Sequence, residues 1–112
     1  HHWGTDIDIN DFDDYFDDKN EKANNEYKWL TYNASRFGFC QVYSPKHEGK
    51  RQNGYNEEKW HWSYMPLSSK YLKEYKDLIS YSNINGFSGS KLAKELNILE
   101  EFVYGIGLEC DN

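Results

Sequence analysis

The sequence predicts an α+β domain with a small antiparallel sheet flanked by helices, and three patterns support this fold class. Residues 4–9 alternate strictly between apolar and polar positions, as a half-buried strand does. Residues 23–37 carry apolar side chains at steps of three and four, as an amphipathic helix does. Two aromatic segments with strand composition and several helical patterns follow. This order of strand, helix, two strands and helices is typical of the α+β class.

Length and charge narrow the choice of function. A chain of 112 residues is expected to form a single domain with a modest core. Its formal net charge of -6 argues against nucleic acid as a partner, because phosphate binding needs basic residues. No apolar run approaches the roughly 20 residues that a transmembrane helix needs. The chain begins with His1-His2 and shows no signal peptide, so a processed precursor, a fragment or a tag remnant are all open.

The first strand has one apolar and one acidic face. Ile7 and Ile9 point one way, while Asp6 and Asp8 point the other, because side chains alternate along a strand. An acidic segment follows at residues 10–20. Spaced acids can bind calcium, but the spacing and the glycine of an EF-hand loop are absent. The segment is therefore predicted to be a solvated loop pinned by Phe12, Tyr15 and Phe16.

The helix over residues 23–37 is predicted from one apolar face. That face consists of Ala23, Tyr27, Leu30, Ala34 and Phe37. Gly38 is expected to end the helix. Residues 39–43 have the composition of a strand, and residues 44–55, with one proline and two glycines, that of a loop. His47 lies in this loop beside charged neighbours and is expected to be exposed.

The second half begins with an aromatic strand at residues 60–64 and continues with helices. A helix is predicted over residues 68–79, capped by Ser68 or Ser69. A turn at residues 85–86 and short helices at 90–96 and 98–104 complete the prediction.

Two distant segments together carry the residue types of a zinc site. Zinc in a catalytic site takes three protein ligands and keeps one position open, with a carboxylate nearby as general base. His1 and Asp8 would lie about 23 Å apart on a straight strand, so sharing a metal requires the chain to fold back at Gly4. His61 would supply the third ligand from its strand, and Glu58 would lie in the turn leading into it. The alternative is that His61 is simply a hydrogen-bonded histidine in an aromatic sheet.

Both segments also match recognisable motifs. The first is a histidine, two residues, a glycine, three residues and an aspartate, met by His1, Gly4 and Asp8. The second is met by Glu58, Trp60, His61 and Trp62. Between them lie Trp29-Leu30 and the run at residues 33–39. Over residues 1 to 66 the chain resembles the VanY-type D-Ala-D-Ala carboxypeptidases. These belong to a zinc peptidase superfamily that includes phage L-alanyl-D-glutamate endopeptidases and the hedgehog signalling domain.

The resemblance implies a fold like that of the hedgehog and D,D-peptidase proteins, with Zn2+ bound by His1, Asp8 and His61 and with Glu58 as the catalytic base. It also implies an extracytoplasmic carboxypeptidase that trims peptidoglycan stem peptides. A peptidoglycan endopeptidase and a non-catalytic zinc or cell-wall-binding module are the alternatives. Asp6 stands where the family usually has a small residue, often alanine, and is interpreted as supporting the site or the fold.

Two further expectations follow from the resemblance. In the family a region containing an arginine that assists catalysis precedes the first motif, so residues 1–112 are expected to be the C-terminal part of a longer chain. The chain has two cysteines, Cys40 and Cys110, which could be bonded, free in the core or of no special role. Because the implied substrate is extracytoplasmic, where disulfides persist, a bond between them is predicted.

Overall fold

The computed structural model describes residues 1–10, 12–47 and 50–108 and confirms the α+β class. The strands are β1 (Asp6–Asp8), β2 (Phe39–Cys40) and β3 (His61–Tyr64). The α-helices are α1 (Phe12–Tyr15), α2 (Glu21–Asn33), α3 (Met65–Leu78) and α4 (Leu92–Glu95). Two 3₁₀ turns lie at Ala34–Phe37 and Tyr81–Asn83, and a π-helical turn lies at Leu99–Val103. The assignment of the whole chain to one domain stays a prediction.

The sheet has three antiparallel strands in the order β1-β3-β2. β3 is therefore central, and His61, Trp62 and Ser63 on its two faces are all buried. Its register with β1 places Asp8 opposite His61 and Asp6 opposite Ser63. Residues directly opposite one another in an antiparallel pair point to the same face. The sheet thus brings the acidic face of β1 onto the face of β3 that carries its histidine.

In β1 the apolar face is more exposed than the acidic face, which is the reverse of an ordinary half-buried strand. Ile7, on the apolar face, is 47 % exposed, whereas the Asp6 side chain is only 14 % exposed. The acidic face can be covered because hydrogen-bond partners on β3 compensate the loss of water around its carboxylates. The alternation was predicted correctly, but the burial of Ile7 that it suggested is wrong.

The helix predicted over residues 23–37 forms in two parts. α2 is capped by Asn20, whose side chain accepts a hydrogen bond of 3.1 Å from the Ala23 amide. Its last turn tightens into the 3₁₀ geometry and ends at Gly38, with φ of +82°, as predicted. This tightening changes the angle between successive side chains, so Phe37 leaves the apolar face and is 63 % exposed.

The acidic segment contains more structure than a solvated loop. α1 begins at Phe12 and is followed by Phe16, whose side chain is only 5 % exposed. The Tyr15 hydroxyl donates a 2.7 Å hydrogen bond to Glu26 of α2. Aromatic packing against α2 therefore holds this segment on the domain, as predicted for Tyr15 and Phe16.

The helix α3 begins three residues earlier than predicted, at Met65. Pro66 stands in its first turn, where the missing amide hydrogen costs nothing and the fixed φ suits a helix. Ser68 and Ser69 are consequently not caps: Ser68 is buried against Ser63, and Ser69 donates to the Met65 carbonyl.

The remaining predicted strand and helices are present but shorter than predicted, and one predicted contact involves a residue that the structure does not describe. β2 ends at Cys40 rather than at residue 43, and the last two helices shrink to α4 and the π-helical turn. In the described part of the chain, no helix combines the length and apolar character needed to cross a membrane. Cys40 is buried and is not a free thiol. Cys110 lies outside the described residues, so their pairing stays a prediction.

Candidate metal centre

A tight turn at the start of the chain brings His1 back to the first strand. Gly4 adopts a φ of +68°, and its amide donates a 3.0 Å hydrogen bond to the His1 carbonyl. Glycine accepts this left-handed conformation without the strain that a side chain would add. The predicted fold-back at Gly4 is thus confirmed, and it places His1 Nε2 3.1 Å from Asp8 Oδ1.

The strand register completes the group. Because Asp8 faces His61 across β1 and β3, Asp8 Oδ1 also lies 3.2 Å from His61 Nδ1. One potential ligand atom from each of His1, Asp8 and His61 lies within 4.8 Å of the other two. The structure therefore brings together all three residues predicted to bind zinc. Their role as ligands stays a prediction.

The geometry and chemistry of this group suit zinc. Bonds of about 2.0–2.2 Å in a tetrahedron place ligand atoms about 3.3 Å apart. The two distances to Asp8 Oδ1, 3.1 Å and 3.2 Å, are close to that separation. Imidazole nitrogens with a carboxylate oxygen are also a ligand set that zinc commonly takes. Two of the three separations thus match a tetrahedral zinc site, and the third, between His1 and His61, is within 4.8 Å.

Glu58 stands beside the group, in the turn that leads into β3. Its amide donates to the Tyr43 carbonyl, and its own carbonyl accepts from the His61 amide. Its carboxylate oxygen Oε2 is 3.6 Å from His61 Nδ1, and the side chain is 24 % exposed. Glu58 therefore lies next to the nitrogen predicted to bind metal and remains accessible to water.

The other ring nitrogen of His61 faces a different carboxylate. His61 Nε2 is 2.8 Å from Asp6 Oδ2. The other Asp6 oxygen accepts 2.7 Å hydrogen bonds from the hydroxyls of Thr5 and Ser63. Burial by itself would raise the pKa of the Asp6 carboxyl, but the hydrogen bonds it accepts, that from His61 foremost, lower the pKa to about 2. Asp6 is thus a carboxylate that stays ionised although it is mostly covered.

Tyr43 is a neighbour of the site that sequence analysis did not single out. Its ring centroid is 4.7 Å from that of His61. Burial, with a contribution from the negative charge of Glu58, raises the pKa of Tyr43 to about 12. A neutral phenol therefore packs against the histidine at neutral pH. Its only sequence signal was an aromatic residue at the end of a predicted strand, which is common in cores.

A cavity of about 470 Å³ adjoins the site. His1, Thr5 and Asp6 line its polar side, while Met65, Leu72 and Phe102 contribute apolar wall. Of the grouped residues only His1 lines this cavity, and Asp8, His61 and Glu58 do not, so the concave space adjoins one side of the site.

The two other histidines are placed outside the ligand group. His2 is exposed and lines the cavity, and its ring nitrogens do not join the group formed by its neighbour. His47 is exposed in its loop, as predicted.

A comparison with protein families finds a match that covers more than half of the chain. The family model described as "VanY: D-alanyl-D-alanine carboxypeptidase" matches residues 1–67, which include both segments that form the site. No curated protein and no solved structure matches the chain significantly.

Proposed function

The chain belongs to the VanY family of D-alanyl-D-alanine carboxypeptidases, and from this premise we propose that it is a zinc-dependent enzyme of that type. Its substrate would be the peptidoglycan stem peptide, from which it would remove the terminal D-alanine by hydrolysis. Because that substrate lies outside the cytoplasmic membrane, the proposal includes an extracytoplasmic location.

The proposed ligands are His1, Asp8 and His61. Zinc held by them would supply a Lewis acid that polarises the scissile carbonyl and lowers the pKa of water. Within residues 1–112 the side chains of His1 and Asp8 are 51 % and 26 % exposed.

Glu58 is the proposed general base. It would accept a proton from the attacking water and then donate that proton to the nitrogen of the departing D-alanine. Its position supports this role, because a base must lie close to the reacting atoms without being consumed as a ligand. The 3.6 Å from Glu58 Oε2 to His61 Nδ1 meets that requirement.

One observation carries the proposal. Two segments far apart in the chain, each carrying one of the two motifs, converge so that a single Asp8 oxygen is 3.1 Å from His1 and 3.2 Å from His61. A histidine that merely filled the core would not need a second histidine on the same carboxylate. The convergence and the family membership both support the same site.

The test uses the natural protein at its full length. Zinc per chain is measured after exhaustive dialysis, and D-alanine release is followed on a stem peptide that ends in D-Ala-D-Ala, with the L-Ala-L-Ala peptide as control. We expect one zinc per chain and release from the D,D peptide alone. Activity should disappear with a chelator and return with zinc.

Other outcomes would replace the proposal. Cleavage inside the stem peptide without D-alanine release would identify an endopeptidase. Bound zinc with no hydrolysis of stem peptides or intact cell wall would identify a binding module. A protein that neither binds zinc nor hydrolyses the peptide would refute the site itself.

A further inference from the structure

Each ring nitrogen of His61 lies close to a different carboxylate. Nδ1 faces the group formed with His1 and Asp8, while Nε2 is 2.8 Å from Asp6 Oδ2. A neutral imidazole carries one proton, so only one of its nitrogens offers a lone pair at a time. A carboxylate can only accept a hydrogen bond. Asp6, hydrogen-bonded at 2.8 Å, therefore favours the form of His61 with the proton on Nε2 and the lone pair on Nδ1. Asp8, at 3.2 Å from Nδ1, favours the opposite form less strongly.

The Asp6 carboxylate is itself held firmly. Its Oδ1 accepts hydrogen bonds of 2.7 Å from Thr5 Oγ1 and from Ser63 Oγ, which leaves Oδ2 for His61. Ser63 is 2 % exposed, and its hydroxyl lies 2.9 Å from that of Ser68 in α3. If Ser63 donates its one proton to Asp6, Ser68 must donate to Ser63. The hydroxyls of Ser63 and Ser68 thus connect the Asp6 carboxylate to α3.

From this geometry we propose that Asp6 is a positioning residue for the metal site, acting through His61. It holds the imidazole ring in place and keeps the proton on Nε2, so that Nδ1 is ready to bind metal. The inference rests on the proposed zinc site and adds to it a residue outside the ligand set and the catalytic base. The family resemblance does not supply it, since the family usually has a small residue at this position.

The general chemistry of such partners sets the expected size of the effect. Histidine ligands commonly donate their second ring hydrogen to a carboxylate, and losing that partner typically costs about 10–100-fold in metal affinity or activity. The 2.8 Å between Asp6 Oδ2 and His61 Nε2 is a hydrogen-bond distance. The Asp6 side chain is largely shielded from water, with 14 % exposed. We therefore expect a loss within that range.

The test compares zinc affinities of folded variants of the full-length protein, measured by competition with a chromophoric chelator at a fixed pH. D6N keeps the shape and removes the charge, while D6A removes the partner. Both should bind zinc about 10–100-fold more weakly than the unmodified protein. Asp77, exposed on α3, provides a matched control, and D77N should leave the affinity unchanged.

A second measurement separates positioning from a purely structural role. In the zinc-loaded protein, the Nε2 hydrogen of His61 should give a downfield NMR signal that exchanges slowly with water, because it is bonded to Asp6. D6N and D6A should shift this signal upfield and speed its exchange. Lower thermal stability with unchanged zinc affinity and an unchanged signal would show that Asp6 only supports the fold.

The zinc measurements also distinguish a failure of the Asp6 role from a failure of the proposed zinc site. If the unmodified protein binds no zinc, the zinc site is wrong and the role of Asp6 in it is wrong as well. If the unmodified protein binds zinc and D6N binds it equally well, the site stands and only the role of Asp6 is refuted.

Discussion

Replacing Glu58 with glutamine is the sharpest test of the proposed chemistry, because it removes the base and little else. Glutamine has nearly the same shape as glutamate, so the turn before β3 and its two backbone hydrogen bonds should persist. The side chain lies 3.6 Å from His61 Nδ1 and belongs to neither the ligand group nor the core. Stoichiometric zinc should therefore remain in Glu58→Gln.

The expected loss of turnover follows from the role. A glutamine amide cannot accept the proton of water at neutral pH, and general base catalysis typically contributes about 10²–10⁴-fold. At about 1.4 kcal/mol for each factor of ten, this corresponds to a barrier raised by about 3–5 kcal/mol. We expect kcat for D-alanine release to fall by that factor, with little change in KM.

The neighbouring residue gives a matched control. Glu57 has the same side chain, but its carboxylate accepts a hydrogen bond from Tyr27 and is not part of the ligand group. Glu57→Gln should keep both zinc and nearly full turnover in the full-length protein. Turnover is measured as D-alanine released, with zinc content determined on the same samples. A zinc-loaded Glu58→Gln protein with normal turnover would refute the assigned base.

Three further predictions concern the metal, the cysteines and the fold. His61→Ala should lose its zinc, because two remaining ligands hold the ion poorly; stoichiometric zinc in that variant, measured by atomic absorption, would contradict the ligand assignment. Cys40 and Cys110 should form a disulfide, and two free thiols in the denatured, unreduced protein would exclude it. Gly38→Ala should lower the free energy of unfolding by about 2–4 kcal/mol in urea titrations, since its φ is +82° and an added Cβ would meet a neighbouring ring at 2.7 Å. Gly86→Ala, with a φ of +83° and open space, should cost only about 1–2 kcal/mol, and equal losses in the two variants would refute the steric argument.

Sequence analysis could identify the residues of the candidate site because each belongs to a short motif. The turn at Gly4 followed from the need to bring His1 near Asp8 and from the freedom of glycine to adopt positive φ. The place of Glu58 before the strand followed from side-chain parity, since it could not share a face with His61. These arguments use only distances along the chain.

The contact between Asp6 and His61 was not accessible in the same way. Parity put Asp6 on the face of Asp8, and His61 on the face of Ser63, but nothing in the sequence specified the pairing of the two strands. The register that sets Asp8 opposite His61 also sets Asp6 diagonally beside it. Only that register decides that the ring meets a carboxylate at both nitrogens.

The sequence by itself therefore determined the local periodicities, the capping glycine at residue 38 and the identity of the two converging segments. The tertiary structure decided which faces are covered: Ile7 and Phe37 are exposed, although their patterns suggested burial. The physical reason is that periodicity states which side chains share a face, whereas burial depends on what packs against that face. For β1 the partner is the central strand β3, whose histidine and serine satisfy the carboxylates that the sheet covers.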